Sequence, residues 1–343
     1  MKNIAVWQNV SPEQFANEIR PISEPAILRG LVDGWPIVTV ARLGDKPLVD
    51  YLGSMADSSP IASIYAPPEA EGRFHYVENM RRLNFERVSI TLQNFLDQLL
   101  AEAESETPTA LAAQGLIVPK CLPKFAGSHP LPILPPAIIP RMWIGNAAKV
   151  ATHCDELENI ACVVAGRRRF TLFPPEQVGN LYMGPFELTP AGTPISMVHV
   201  TKPDFDRYPR FADALNAACF AELEAGDAIY IPYQWYHHVE SLDQVNILVN
   251  YWWNGARQDL GSAWDAMLNG IISLRSLPPD QRRAWRAMFD HYVFLTNGDP
   301  GEHLPQHARG ILDADAPEHI AQMQRDLITN LTNPSASKVG SLK

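Results

Sequence analysis

His153-Cys154-Asp155 sets an imidazole and a carboxylate two positions apart, and a pair of later histidines, His237 and His238, offers a second imidazole. Two imidazoles and one carboxylate make a facial ligand set for iron(II), leaving three coordination positions open for a cosubstrate and oxygen. The segment from Val150 to Glu158 reads as a strand, in which side chains at i and i+2 leave the same face. His153 and Asp155 then grip one ion while Cys154 points away. His237 falls in Asp227-Ala-Ile-Tyr-Ile-Pro-Tyr-Gln-Trp-Tyr-His-His-Val-Glu240, a second strand-like run rich in aromatic and β-branched residues. A His-x-Asp alone is common as a surface histidine beside a solvated acid, so the weight of the reading rests on its neighbours.

Those neighbours are elements able to position the ligands. From Glu156 the chain runs through an apolar stretch to Gly166, turns, and continues as Arg167-Arg-Arg-Phe-Thr-Leu-Phe-Pro-Pro175. A ligand pair that opens a β-hairpin, with a third ligand on a later strand, suits a small barrel whose mouth holds a ligand.

Five blocks occur in the order of a known family. His153-Cys-Asp-Glu-Leu-Glu-Asn159, Gly166-Arg-Arg-Arg-Phe-Thr-Leu-Phe-Pro-Pro175, Gly226-Asp-Ala-Ile-Tyr-Ile-Pro232, Trp235-Tyr-His-His-Val-Glu-Ser241 and Val249-Asn-Tyr-Trp-Trp253 resemble the JmjC and cupin-8 group of 2-oxoglutarate oxygenases, in its hydroxylase-like branch. The resemblance is strong over residues 141–254 and weaker before them. It implies a mainly β protein with helical extensions, built on a double-stranded β-helix of the cupin or jelly-roll kind. It also implies Fe(II) held by His153, Asp155 and His237, with 2-oxoglutarate as cosubstrate. His237 is the expected ligand because the first histidine of the family's pair serves; strand parity alone leaves His238 open, since the Pro232 link interrupts the alternation. Asn159 and Asn250 match positions at the metal end of the oxoglutarate site, and Trp252 matches an aromatic wall.

The oxoglutarate pocket departs from the family pattern. Relatives place a lysine two residues after the hairpin glycine to pair with the distal carboxylate; here Arg168 stands there. Arginine keeps the charge, but its fork is longer and planar, so the exchange is not conservative. A threonine or serine three residues before the first histidine is replaced by Val150, and a tyrosine found in one member aligns with Leu111. Thr152, Lys149, Arg167 and Arg169 are candidates to make up for lost donors, although Arg167 and Arg169 alternate onto the opposite, solvated face.

Composition narrows the function classes. Of 343 residues, 46% are hydrophobic, ample for a core, yet no apolar run approaches the about 20 residues of a membrane helix. Met1-Lys-Asn-Ile-Ala-Val-Trp7 lacks the apolar stretch of a signal peptide. Cys121, Cys154, Cys162 and Cys219 have no Cys-x-x-Cys spacing and fit a reducing, cytoplasmic setting. A formal charge of −10 disfavours a nucleic-acid partner, since phosphate binding needs a basic surface.

The remaining chain divides in outline. Residues 1–118 read as an N-terminal α/β region packing on the barrel. Within it, Ser11-Pro-Glu-Gln14 is a capping box, and a helix from Thr91 buries Phe95, Leu96, Leu99 and Leu100. Residues 119–256 form the cupin core, entered through seven prolines between Pro119 and Pro140 that predict a stiff loop without regular structure, a connection or a wall of the substrate groove. Residues 184–215, between the ligand strands, are a long insertion that either shapes substrate access or only closes the barrel. Residues 257–332 carry three helical stripes, the last capped by Asp315, and 333–343 read as a tail. Those helices either pad the barrel or, as the resemblance implies and their wide apolar faces suit, form a homodimer. Two functions follow. One is an oxygenase hydroxylating an unactivated C–H bond of a protein side chain or small molecule, with release of succinate and CO2. The other is a metal-binding cupin whose altered pocket takes another acid or is inactive.

Overall fold

A computed structural model describes residues 2–77, 79–313 and 317–332, and it divides into two compact units, residues 1–254 and 255–343. Asp315 and the 333–343 tail lie outside the described residues. Among the described residues, no helix is long and apolar enough to cross a membrane.

The described residues of the first unit form fourteen strands: β1 (Ala5–Gln8), β2 (Ala26–Arg29), β3 (Pro60–Ala66), β4 (Arg73–Phe74), β5 (Glu86–Thr91), β6 (Ala110–Ile117), β7 (Pro140–Gly145), β8 (Lys149–His153), β9 (Glu158–Ala165), β10 (Arg168–Phe173), β11 (Cys219–Leu223), β12 (Ala228–Ile231), β13 (Tyr236–Ser241) and β14 (Asn246–Trp253). The last eight form two facing four-stranded sheets, β12-β9-β14-β7 and β11-β10-β13-β8, which is the double-stranded β-helix. The N-terminal strands do not make a separate layer. β1 and β2 extend one side of the first sheet, β6, β3 and β5 extend the other to nine strands, and β4 pairs with β8.

Alternation sorts side chains between two cores. On β9, Ile160, Cys162 and Val164 pack outward into the cluster formed with the N-terminal helices, beside Ile37, Val38 and Leu96. Ala161 and Val163 point inward, where they meet Phe170 and Leu172 of β10, Ile229 of β12 and Leu248 of β14. β9 is therefore apolar on both faces and reads as one continuous buried run. β11, at the end of the smaller sheet, instead buries Cys219, Ala221 and Leu223 and exposes Phe220 and Glu222. Gly166 makes the β9–β10 turn at φ +69°, and a Cβ there would sit on Asn246 Oδ1 and 2.7 Å from the Val245 carbonyl oxygen. Only glycine fits that turn.

Local capping follows the sequence. Ser11 Oγ accepts from the Gln14 N–H at 3.1 Å, and Thr91 Oγ1 accepts from the Asn94 N–H at 3.2 Å to start the helix Leu92–Ala103. That helix buries Leu92, Phe95, Leu96 and Leu99. The proline-rich entry differs from expectation. It forms short helices at Val118–Cys121 and Phe125–Ser128 and sinks Leu122, Phe125, Leu131, Ile133 and Leu134 into the main core. Its prolines bracket buried apolar residues, and the backbone turns between them rather than running extended.

Among the described residues, the second unit holds three α-helices, Ala263–Leu274, Pro279–Tyr292 and Pro317–Thr332, none with a buried residue.

Candidate metal centre

β8 ends at His153, and Asp155 lies in the connection to β9. The expected strand from Val150 to Glu158 is thus two strands and a bend. His153 pairs in register with His237 of β13, and the ladder slips before Val239 meets Val150. This bulge gives β8 an extra residue opposite β13, so that Val150 and His153 both reach the interior despite odd spacing. The ligand atoms of His153, Asp155 and His237 all lie within 4.8 Å of one another, the only such group of three among the described residues. The two imidazole centroids are 4.4 Å apart, and His237 Nε2 is 3.7 Å from Asp155 Oδ2.

Both histidines have one nitrogen committed. His153 Nδ1 donates to its neighbour Ala151 O at 2.9 Å, and His237 Nδ1 donates to Trp235 O at 3.1 Å. This fixes the Nδ1–H tautomer and leaves each Nε2 lone pair for a metal. Burial, then the neighbouring His153, push the His237 pKa down to about 4, so the ring is neutral and ready to ligate at neutral pH. Cys154 points away, its thiol donating to Gln234 Oε1 at 3.2 Å. His238 faces the outside of the sheet, with neither ring nitrogen hydrogen-bonded and Nε2 3.8 Å from Glu240.

A cavity of about 380 Å³ opens beside the triad and reaches Asn159, Val150, Arg168, Asn250 and Trp252. Strand parity explains the set. Asn159 shares the inner face of β9 with Ala161, Asn250 and Trp252 share that of β14 with Leu248, and Arg168 shares that of β10 with Phe170. His237 is level with Leu172 and Arg168 with Ser241. Arg168 therefore stands four residues along the barrel from the metal ligands, about 13 Å at strand rise.

The polar groups of this cavity are incompletely paired. Asn250 Nδ2 donates to Asn159 Oδ1 at 3.0 Å, but Asn250 Oδ1, Trp252 Nε1 and Arg168 Nε are buried without a partner. Arg168 is 5% exposed and forms no salt bridge among the described residues. Burial alone lowers its pKa to about 10, leaving it cationic at neutral pH. An isolated buried cation costs several kcal/mol unless an anion meets it.

The suggested substitutes for lost donors do not reach the cavity. Lys149 Nζ donates to Glu71 O on the outside, Arg167 pairs with Asp243, and Arg169 pairs with Glu222. Thr152 Oγ1 is buried and unpartnered away from the lining. Leu111 packs into the main core and does not line the cavity. No residue from Pro119 to Pro140 lines the cavity; β7, which follows, contributes Trp143, which meets Trp252 edge-on at 5.0 Å. Sequence reasoning missed Trp143, Gln114 and Arg87 as lining residues. Parity on β7 points to the first; Arg87 and Gln114 sit on strands that join the barrel only through long-range pairing.

Two histidines and an aspartate gathered in the mouth of a double-stranded β-helix fit a cupin able to hold a metal ion. Residues 12–259 match the cupin-like domain model of the cupin-8 family, and the chain belongs to that JmjC-type family. It is 30% identical to the lysine-specific demethylase JMJ31 of Arabidopsis thaliana over 58% of this chain and 30% of that protein. Two other relatives are covered more fully. The tRNA wybutosine-synthesizing protein 5 of Gallus gallus is 28% identical over 71% of this chain and 74% of its own length. The human bifunctional peptidase and (3S)-lysyl hydroxylase JMJD7 is 26% identical over 74% and 84%. The relatives thus include a demethylase, a tRNA wybutosine-synthesizing protein and a bifunctional hydroxylase.

Proposed function

We propose that this protein is a 2-oxoglutarate- and Fe(II)-dependent oxygenase, hydroxylating an unactivated C–H bond of a protein side chain or small molecule. The observation that carries the reading is Arg168, a buried cation without a counter-ion, sharing one cavity with the His153, Asp155 and His237 triad. A five-carbon dicarboxylate suits that spacing, with one end at the triad and the other on the guanidinium. Iron(II) bound with 2-oxoglutarate would supply the chemistry: the keto acid and dioxygen become succinate and CO2, and one oxygen atom enters the substrate C–H bond.

The chain's own residues do the rest. His153, Asp155 and His237 would hold the metal on one face and leave the cavity side open. Arg168 binds the distal carboxylate bidentately. Asn250, oriented by Asn159, and Trp252 Nε1 offer an acceptor and a donor toward the metal end. Trp143, Phe170, Leu248 and Val239 exclude water from the reacting bond.

Lysine-directed names among the relatives do not transfer directly, because the only acid lining this cavity is Asp155, a member of the triad. Val150 favours the second reading, a pocket that takes another acid, because it presents methyl groups where relatives present a hydroxyl. Succinate release from 2-oxoglutarate by the iron-loaded protein decides between them: iron-dependent release supports the oxygenase, and its absence in protein with full iron occupancy supports the alternative.

The second unit carries a further part of the reading. Its helices bury no residue of their own, while Trp285, Leu327 and Ile328 are 45%, 48% and 62% exposed. A second copy of the chain is the proposed cover, as a homodimer.

A further inference from the structure

Three charged residues line the cavity: Asp155, Arg168 and Arg87. Taking the oxygenase reading as given, the first two have work at the metal and at the cosubstrate, and Arg87 has none. Arg87 lies on β5, the terminal strand of the nine-stranded sheet, opposite Ile64 of β3, which also lines the cavity. Its neighbour Glu86 pairs with Tyr65, whose hydroxyl bonds Gln98 on the helix Leu92–Ala103, so Glu86 belongs to the opposite face. The Arg87 guanidinium rests 5.8 Å from the Phe85 ring and makes no side-chain hydrogen bond or ion pair among the described residues.

We infer that Arg87 sets substrate class: it binds an anionic group, a carboxylate of the substrate, while an uncharged part of the same molecule reaches the triad. A guanidinium on the rim with no protein anion is free to form the bidentate pair that carboxylates favour. The same cavity disfavours a cationic target, because a lysine or arginine side chain entering it meets Arg87 and Arg168 and finds no acid outside the triad. Pro190, Ala191 and Gly192 add uncharged lining from a loop whose base is closed by the Gly184 N–H donating to Ile195 O at 2.8 Å.

The test uses two fluorescein-labelled twelve-residue peptides, identical except for glutamate or lysine at alternate positions, and N-acetylglutamate as a small-acid competitor. Binding to the metal-free full-length protein is read by anisotropy at low salt, which requires neither iron nor turnover. The expected result is at least tenfold tighter binding of the glutamate peptide, a loss of that preference in Arg87→Ala, and its reversal in Arg87→Glu. Displacement by millimolar N-acetylglutamate would identify a free acid as sufficient; resistance to it would identify the acidic peptide. Equal binding of both peptides, preference for lysine, or a glutamate preference untouched in Arg87→Glu would overturn the inference. Failure of the oxygenase reading shows separately, as absence of succinate release in a wild-type protein that still prefers the glutamate peptide.

Discussion

At the scale of single residues, the account turns on one uncompensated charge. Arg168 is held inside the barrel by strand parity, buried except where it faces the cavity. Such a residue lowers the stability of the empty protein and is retained for what it binds. Arg168→Met should therefore raise the stability of the ligand-free protein by about 1–4 kcal/mol in urea unfolding while raising the 2-oxoglutarate requirement at least tenfold. Arg168→Lys keeps the charge and should recover part of that affinity. If Arg168→Met left cosubstrate dependence unchanged, the carboxylate would be held elsewhere. His153→Ala and Asp155→Ala should each lose iron on dialysis, measured by metal analysis. Asn159, Arg168, Asn250 and Trp252 were legible only through the resemblance to the family; their common inward direction follows from strand parity once the strands are placed. The role of Val150 was legible only by comparison, and its inward orientation depends on a bulge that no local pattern announces.

At the scale of elements, turns and caps set the register that brings the ligands together. Gly166→Ala forces a side chain into positive φ against Val245 and Asn246, and should cost about 1–3 kcal/mol. Because Arg168 follows that turn, the same variant should also weaken cosubstrate binding; wild-type stability and affinity would contradict the role given to the hairpin. Thr91→Ala, which removes a helix cap far from the cavity, should cost about 1 kcal/mol and leave binding unchanged. The hairpin, the Ser11 and Thr91 caps and the C-terminal helices follow from local chemistry. The proline-rich entry did not, because prolines restrict φ without saying whether the intervening residues meet a core. The edge position of β5, which brings Arg87 to the cavity, depends on pairing across the whole chain and has no local signature.

At the scale of the molecule, three buried histidines and the second unit make separate predictions. Burial lowers the pKa of His75, His237 and His238 from 6.5 to about 4. Above about pH 6.5 neither folded nor unfolded chain is protonated at these sites, and no penalty arises. As pH falls from 6.5 toward 4, the unfolded chain takes up protons that the folded chain refuses, so stability falls. The metal-free protein should lose up to about 1.4 kcal/mol per pH unit for each such histidine. His75→Gln should flatten the slope by one proton, read from urea midpoints at pH 7, 6 and 5. Light scattering should give a dimer. Trp285→Glu, on a helix without a buried residue, should give a monomer that still binds iron; a wild-type monomer would refute the proposed cover.

In the proposed function, the triad and Arg168 hold iron and 2-oxoglutarate together. Anaerobic titration of the Fe(II)-loaded protein with 2-oxoglutarate tests it most directly, read by the visible metal-to-ligand charge-transfer band. The account predicts a saturable band in the wild-type protein that is lost at the same concentrations in Arg168→Met. Full iron occupancy with no band at saturating 2-oxoglutarate would contradict it.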